Sequence, residues 1–178
     1  LSYSITGGTD IIADLSGSDI TFSAPANFNG SESFTVSVSD DELSDSQSIT
    51  VTILPVNDPP VATVDLTGAT NEDQSVVVNL SGSDIDGDNL SFSLGSDATS
   101  GSVIIDGSVA TYTPTSDYHG DDTFTFIVSD GELEDTADVS LSITPVNDAP
   151  LLILDSQEID FDEDTSITIS FTTIDVDG

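Results

Sequence analysis

The chain repeats itself with a period of 90 to 91 residues, and few folds can satisfy such a repeat. Pro-Val-Asn-Asp-Pro-Pro at 55–60 returns as Pro-Val-Asn-Asp-Ala-Pro at 145–150, an offset of 90. Asn29-Gly30, Phe34 and Ser39-Asp40 return at the same offset as His119-Gly120, Phe124 and Ser129-Asp130. Glu72-Asp73 returns as Glu163-Asp164, and Asp84-Ile-Asp86-Gly as Asp175-Val-Asp177-Gly, at an offset of 91. Several independent landmarks share one period, so the unit of folding is about 90 residues long.

Within a period the pattern is all-β. Ala137, Val139, Leu141 and Ile143 alternate with Thr136, Asp138, Ser140 and Ser142, as in a strand with one wet face. Further strands read as Val76/Val78/Leu80, Leu90/Phe92/Leu94, Ser102–Ile105, Ala110/Tyr112 and Phe124/Phe126/Val128, separated by turns rich in Gly, Pro, Asp and Ser. With one strand after the linker these make seven, lettered A to G, the count of a Greek-key immunoglobulin-like sandwich. The repeat is out of phase with the chain ends, because Leu1-Ser-Tyr-Ser matches strand C, Leu90-Ser-Phe-Ser. The expected organisation is a partial module over 1–55 (strands C to G), a complete module over 56–146, and strands A and B of another over 147–178. Each end piece would leave half a core and an open sheet edge. Two expectations follow: a window from a longer array, or completion of each N-terminal piece by the C-terminal strands of a neighbouring copy.

Charge limits the partners. The chain carries 34 Asp and Glu and no Lys or Arg, a formal charge of -34. Two carboxylates about 4 Å apart repel by roughly 4 kcal/mol at an effective dielectric near 20. Nucleic acid and anionic lipid find no basic side chain here, so neither is an expected partner. No apolar run is long enough for direct membrane insertion. Cations are the expected counter-charge. There is no Cys, so disulfides and thiolate metal sites are excluded.

Strand parity sends the acids to the module ends. The A–B and E–F turns share one end, and the B–C and F–G turns share the other. At the lower end of the complete module, Asn71, Glu72 and Asp73 join Asp117, Asp121 and Asp122 opposite the linker residues Asn147 and Asp148. Asp175 and Asp177 face them from the B–C turn of the following copy. At the upper end, Asp84, Asp86, Asp88, Asp130 and Glu132 meet the linker residues Asn57 and Asp58, with Asn27, Asn29 and Glu32 from the preceding E–F turn. Each junction draws carboxylate and amide oxygens from separate segments. That suits the six to eight oxygen ligands of Ca2+, exceeds what Mg2+ usually takes from protein, and lacks the His and Cys that Zn2+ favours.

The order Val-Asn-Asp-x-Pro, Glu-Asp-x-Ser, Asp-x-Asp-Gly-Asp-x-Leu, then aromatic-x-Gly-x-(Asp/Glu)-x-Phe and Val-Ser-Asp-Gly resembles the bacterial cadherin-like tandem repeats of giant calcium-dependent surface adhesins. The resemblance implies an extracellular array with calcium-stiffened junctions. It also implies ligands at Asn57, Asp58, Glu72, Asp73, Asp84, Asp86 and Asp130, and at Asn147, Asp148, Glu163, Asp164, Asp175 and Asp177. Asp40 stands at the position of Asp130, but Ser39-Asp40-Asp41-Glu42 lacks the turn glycine, so another turn geometry is expected there.

Competing readings are weaker. Counting Asp84 as the first position of an EF-hand loop puts its glycine at four instead of six and Gly95 at twelve instead of Glu. An acid pair could serve a glycosidase, but nothing supplies a walled cleft, and these acids recur with the repeat. No catalytic role is expected. His119, the one histidine, reads as a surface loop residue. The expected function is a calcium-rigidified spacer or filament segment of a surface adhesion protein, with self-assembly by strand complementation or carbohydrate or protein binding as alternatives.

Overall fold

A computed structural model describes residues 1–155 and 158–177 as strands and turns, with no helix among them. The chain divides into two compact units, Leu1–Asp58 and Pro59–Gly178.

In the first unit, β1 (Ser2–Gly7), β4 (Gly30–Ser39) and β5 (Ser44–Ile53) form an antiparallel sheet in the order β1-β4-β5. β2 (Ile12–Ser16) and β3 (Asp19–Ser23) form a hairpin. Phe34 and Ile11 are buried between them, and the Phe22 ring meets Phe34 edge-on at 5.0 Å.

The second unit contains the whole sandwich. Its strands are β6 (Val61–Ala62), β7 (Leu66–Asn71), β8 (Val76–Asn79), β9 (Gly82–Ser83), β10 (Ser91–Ser96), β11 (Gly101–Asp106), β12 (Val109–Pro114), β13 (Gly120–Ser129) and β14 (Glu134–Thr144). One sheet runs β10-β13-β14-β7 and the other β11-β12-β8. Alternation fills the space between them: Phe124, Phe126 and Val128 from β13, Val139, Leu141 and Ile143 from β14, and Val78, Val103, Ala110 and Tyr112 from the facing strands. Each large apolar side chain so buried contributes about 1.5–3 kcal/mol. A final hairpin pairs β15 (Leu151–Leu154) with β16 (Phe171–Ile174).

Strand A, expected as one piece, is two. β6 pairs antiparallel with β9, whereas β7 crosses to the other sheet and pairs parallel with β14. Asp65 makes the crossing possible by taking φ 61°, a left-handed conformation that Asp tolerates. The F–G turns also differ from expectation, because the two copies share one geometry. Asp41 takes φ 77° where Gly131 takes φ 103°, and both turns close through Ser and Asp bonds to the same leucine, Leu43 or Leu133.

An acid ties down the C–D loop in each copy, buried at Asp122 and half-buried at Glu32. Asp122 accepts the amides of Thr99 (3.0 Å) and Ser100 (2.9 Å) and the Tyr112 hydroxyl (2.9 Å). Its counterpart Glu32 accepts the amides of Thr9, Asp10 and Ile11 at 2.9, 3.0 and 2.9 Å. Three positions change together: Ile11, Phe22 and Glu32 stand where the second copy has Gly101, Tyr112 and Asp122. A Cβ at Gly101 would lie 2.3 Å from the Tyr112 ring and 2.6 Å from the Thr113 carbonyl oxygen, so this close approach needs glycine. The shorter Asp takes the phenol hydroxyl as a donor, where the longer Glu reaches a third amide of the C–D loop.

Burial pushes the Asp122 carboxyl up, but the amides of Ser100, Thr123 and Thr99 and the Tyr112 hydroxyl outweigh it and hold it below its ordinary value. Glu32 is likewise held low, by the amides of Asp10 and Thr9 first. A carboxyl depressed in the folded state stabilises it above the unfolded-state pKa, and that stabilisation is lost as pH falls through the folded value. Acid melting should therefore steepen below about pH 4, and Asp122→Asn should flatten that limb in a pH series of melting temperatures. Tyr112→Phe should cost about 1–2 kcal/mol in urea unfolding. Adding Asp122→Glu should recover part of the loss, as a double-mutant cycle would report.

Candidate metal centre

At the end of β7 the chain turns through Glu72 and Asp73 into β8. Asp73 sits at φ 61°, and Asp117, in the β12–β13 loop, at φ 59°. The Asp117 amide donates to Asp73 Oδ1 at 3.3 Å, which draws the two turns together. Glu72 turns inward and is only 4% exposed, unusual for an acid in a chain without Lys or Arg. Its amide donates to the Thr144 carbonyl at 3.0 Å, and its Oε1 accepts the Val146 amide just after β14. The Nδ1 of His119 lies 3.7 Å from Glu72 Oε2. The chain then reaches Asp148, whose amide donates to Asp177 Oδ2.

The result is two acid triads sharing one residue. Glu72, Asp148 and Asp177 each place a carboxylate oxygen within 4.8 Å of the others, and so do Asp73, Asp117 and Asp148. Burial raises the pKa of Asp148, and the charges of Asp177, Asp117, Asp73 and Glu72 raise it further. Its Oδ2 is buried without a hydrogen-bond partner. An inward oxygen with no donor, among four other carboxylates, costs free energy unless a cation meets it. The donor set is all oxygen from four chain segments, which fits a hard divalent ion.

Asp84, Asp86 and Asp88 form a third triad within 4.8 Å, in the loop between β9 and β10. Asp84 Oδ1 accepts the amides of Asp86, Gly87 and Asp88 at 2.8, 3.0 and 3.3 Å, which curls the loop around it. That leaves Asp84 Oδ2 buried and unpartnered.

Other expected ligands lie elsewhere. Glu32 and Asp122 serve the C–D loops of their own modules, so the expectation that they face a junction is corrected: their carboxylates point inward to amides. Asp40 and Asp130 cap the β4–β5 and β13–β14 turns, each accepting two amides on Oδ1. Asn27 takes φ 61° in the β3–β4 loop and Asn29 is exposed beside it. Asn57 and Asp58 are half-buried. Asp121 is exposed and its carbonyl accepts the Tyr118 hydroxyl at 2.7 Å. The Asn147 side-chain amide donates to the Asp148 carbonyl. Asp164 repeats the left-handed turn of Asp73 at φ 62°, beside exposed Glu163, and Asp175 Oδ1 accepts the Asp177 amide at 3.2 Å.

Two acids with structural tasks escaped sequence reasoning. Asp122 shares parity with Phe124, Phe126 and Val128, so alternation alone places it inward. Asp135 accepts the Ala62 amide at 2.8 Å and fastens β6 across 73 residues of sequence, for which no local signal exists.

The family model of the bacterial Ig domain matches residues 2–52 and 57–142. A search of curated proteins finds no match. Among solved structures, the chain is similar to extracellular cadherin domains 1–4 of protocadherin gamma B7, with TM-score 0.53 and 14% identity, over 99% of this chain and 50% of that one. It is similar to domains EC1–3 of mouse protocadherin-24, with TM-score 0.53 and 15% identity, over 99% of this chain and 67% of that one. An endo-fucoidan hydrolase of glycoside hydrolase family 107 aligns at TM-score 0.40 and 23% identity, over 81% of this chain and 24% of that one. The chain thus spans a quarter of that hydrolase and half of the gamma B7 structure. With a family match over more than half of its length and cadherin-type neighbours, this all-β chain belongs to the bacterial Ig domain family.

Proposed function

We propose that the chain is a calcium-rigidified spacer in an extracellular adhesion protein, with Ca2+ held at the module ends. The observation that carries the reading is Asp148: shared by two triads, lifted in pKa, and inward-facing with an oxygen no donor meets. Glu72, Asp148 and Asp177 would hold one ion, Asp73, Asp117 and Asp148 another, and Asp84, Asp86 and Asp88 a third. A bound divalent ion supplies charge that offsets the carboxylates and oxygen coordination that ties their segments together. The chain's own contribution is placement. Glu72 is anchored to Val146 and Thr144, Asp73 to Asp117, and Asp148 to Asp177, so three loops and the linker are already gathered. An array of such modules would extend from a cell surface as a stiff rod, with adhesion by other parts of the protein or by its faces. The reading is mechanical.

Extracellular modules bind calcium with dissociation constants of about 0.1–1 mM. At about 100 times that constant the gain is roughly 2.7 kcal/mol, or about 10–20 °C in melting temperature for a module of this size. EDTA should remove that increment in a calorimetric scan, and identical melting in calcium and EDTA would defeat the reading. Asp148→Asn should act with opposite signs, raising the melting temperature in EDTA by relieving repulsion and lowering it in calcium by removing a ligand.

A second reading, contact between copies by strand addition, is favoured by exposed apolar residues. Ile169 and Phe171 are 52% and 60% exposed, whereas their counterparts Val78 and Leu80 are 6% and 3% exposed. Sedimentation should then show concentration-dependent association, lost in Ile169→Asp with Phe171→Asp. A monomer at every concentration would remove this reading and leave the first intact.

A further inference from the structure

In the first unit one face of the sheet carries no charge. β1, β4 and β5 pair in register, so every second residue of each strand points to the same side. On the outward side these are Ser or Thr without exception: three on β1 from Ser2 to Thr6, five on β4 from Ser31 to Ser39, and five on β5 from Ser44 to Thr52. The acids of these strands, Glu32 and Asp45, lie on the other side, paired with Val51 and Val38. Along β4 the hydroxyl face runs for about 27 Å, at about 3.4 Å per residue.

The fold does not demand this. The second copy builds the same three strands as β10, β13 and β14, and puts Asp121, Ile127, Glu134 and Asp138 where the first has Ser31, Ser37, Ser44 and Ser48. Serine is not among the residues that strands favour. In a chain with 34 acids, hydroxyls at every outward position call for a reason outside the fold. A shallow depression of about 330 Å3, lined chiefly by Ser2, Ser4, Ser37, Ser39 and Ser44, indents the face. That is at the small end of the volumes that ligand sites occupy.

The chemistry of the face selects its partner. Each hydroxyl offers one donor and two acceptors. An apolar partner would bury them unpaired, which costs free energy. An anionic polymer, or a second copy with its own charge of -34, is repelled by the acids around the face. A basic partner gains more at the acid clusters than on a surface without charge. A neutral polyol returns donors and acceptors alike and brings no charge.

We propose that the outward face of β1, β4 and β5 docks a neutral polysaccharide, held by many weak hydrogen bonds. Exchange with water leaves each bond weak, so binding grows with the length of glycan engaged. Salt, which screens charge, leaves it unchanged. The proposal draws on none of the triad acids, so it and the calcium reading fail separately.

Affinity electrophoresis of the full chain through gels holding dextran, mannan, starch or xyloglucan, with alginate as the anionic control, tests this. Retardation by at least one neutral polysaccharide and none by alginate is expected. Ser44→Glu with Ser48→Asp gives the first copy the acids that the second carries at Glu134 and Asp138, which this sheet tolerates there. The pair should weaken retardation about tenfold or more. Ser18→Asp with Ser108→Asp adds the same charge in two exposed hairpin turns and should leave retardation unchanged. No retardation by any neutral polysaccharide would overturn the proposal, as would equal losses in the two double variants. Stronger retardation by alginate than by the neutral polymers would overturn it as well. Association of copies in sedimentation, abolished by the Ser44 and Ser48 pair with no glycan binding, would reassign the face to a second copy.

Discussion

Repulsion between carboxylates at the module end is the interaction on which the rest depends. Four acids from three segments converge on Asp148, and the chain has no Lys or Arg to set against them. At the spacing of these groups each uncompensated pair costs on the order of kilocalories. A sequence could relieve this by spreading its acids over the surface, as acidic proteins commonly do. Here Glu72 is buried and Asp148 turns an oxygen inward, which preserves the concentration of charge. The arrangement is costly alone, and in the proposed function a divalent ion would offset that cost.

The sandwich provides the rigidity that such a site needs. The Phe124, Phe126 and Val139 core fixes β13 and β14, and the β14–β7 pairing carries Glu72 to the exit of the module. Asp122 and Tyr112 secure the C–D loop, and Asp135 on β14 fastens β6. Acids in this chain thus perform two kinds of work. Glu32, Asp40, Asp122 and Asp135 meet amides, fasten loops or strands, and have depressed pKa values. Those gathered in the triads also meet one another, and Asp148, among them, is raised.

Much of this was legible from the residues. Alternation in Ala137–Ile143 and Phe124–Val128 specifies strands and their buried faces, and the period specifies the module. The gathering of Glu72, Asp73, Asp117, Asp148 and Asp177 follows from counting strands and assigning turns to ends. Less visible was the division of labour among acids. Glu32 and Asp122 read as junction acids because loop position was weighed above parity, although parity with Phe34 and Phe124 turns them inward. The split of strand A at Asp65 depends on a backbone angle that Asp permits without announcing it. Asp135 bonds a strand 73 residues away, a pairing that only the closed sandwich defines. The shared turn geometry at Asp41 and Gly131 was obscured for the same reason, since Asp can adopt the left-handed angle that glycine advertises.

Crystals grown in calcium, with a map phased on the anomalous signal of the ion, address the central claim most directly. Density about 2.3–2.6 Å from Asp148 Oδ2, shared with carboxylates of Glu72 and Asp177, is the predicted result. A clear map in which no ion stands there, and Asp148 swings out into water, would contradict the account.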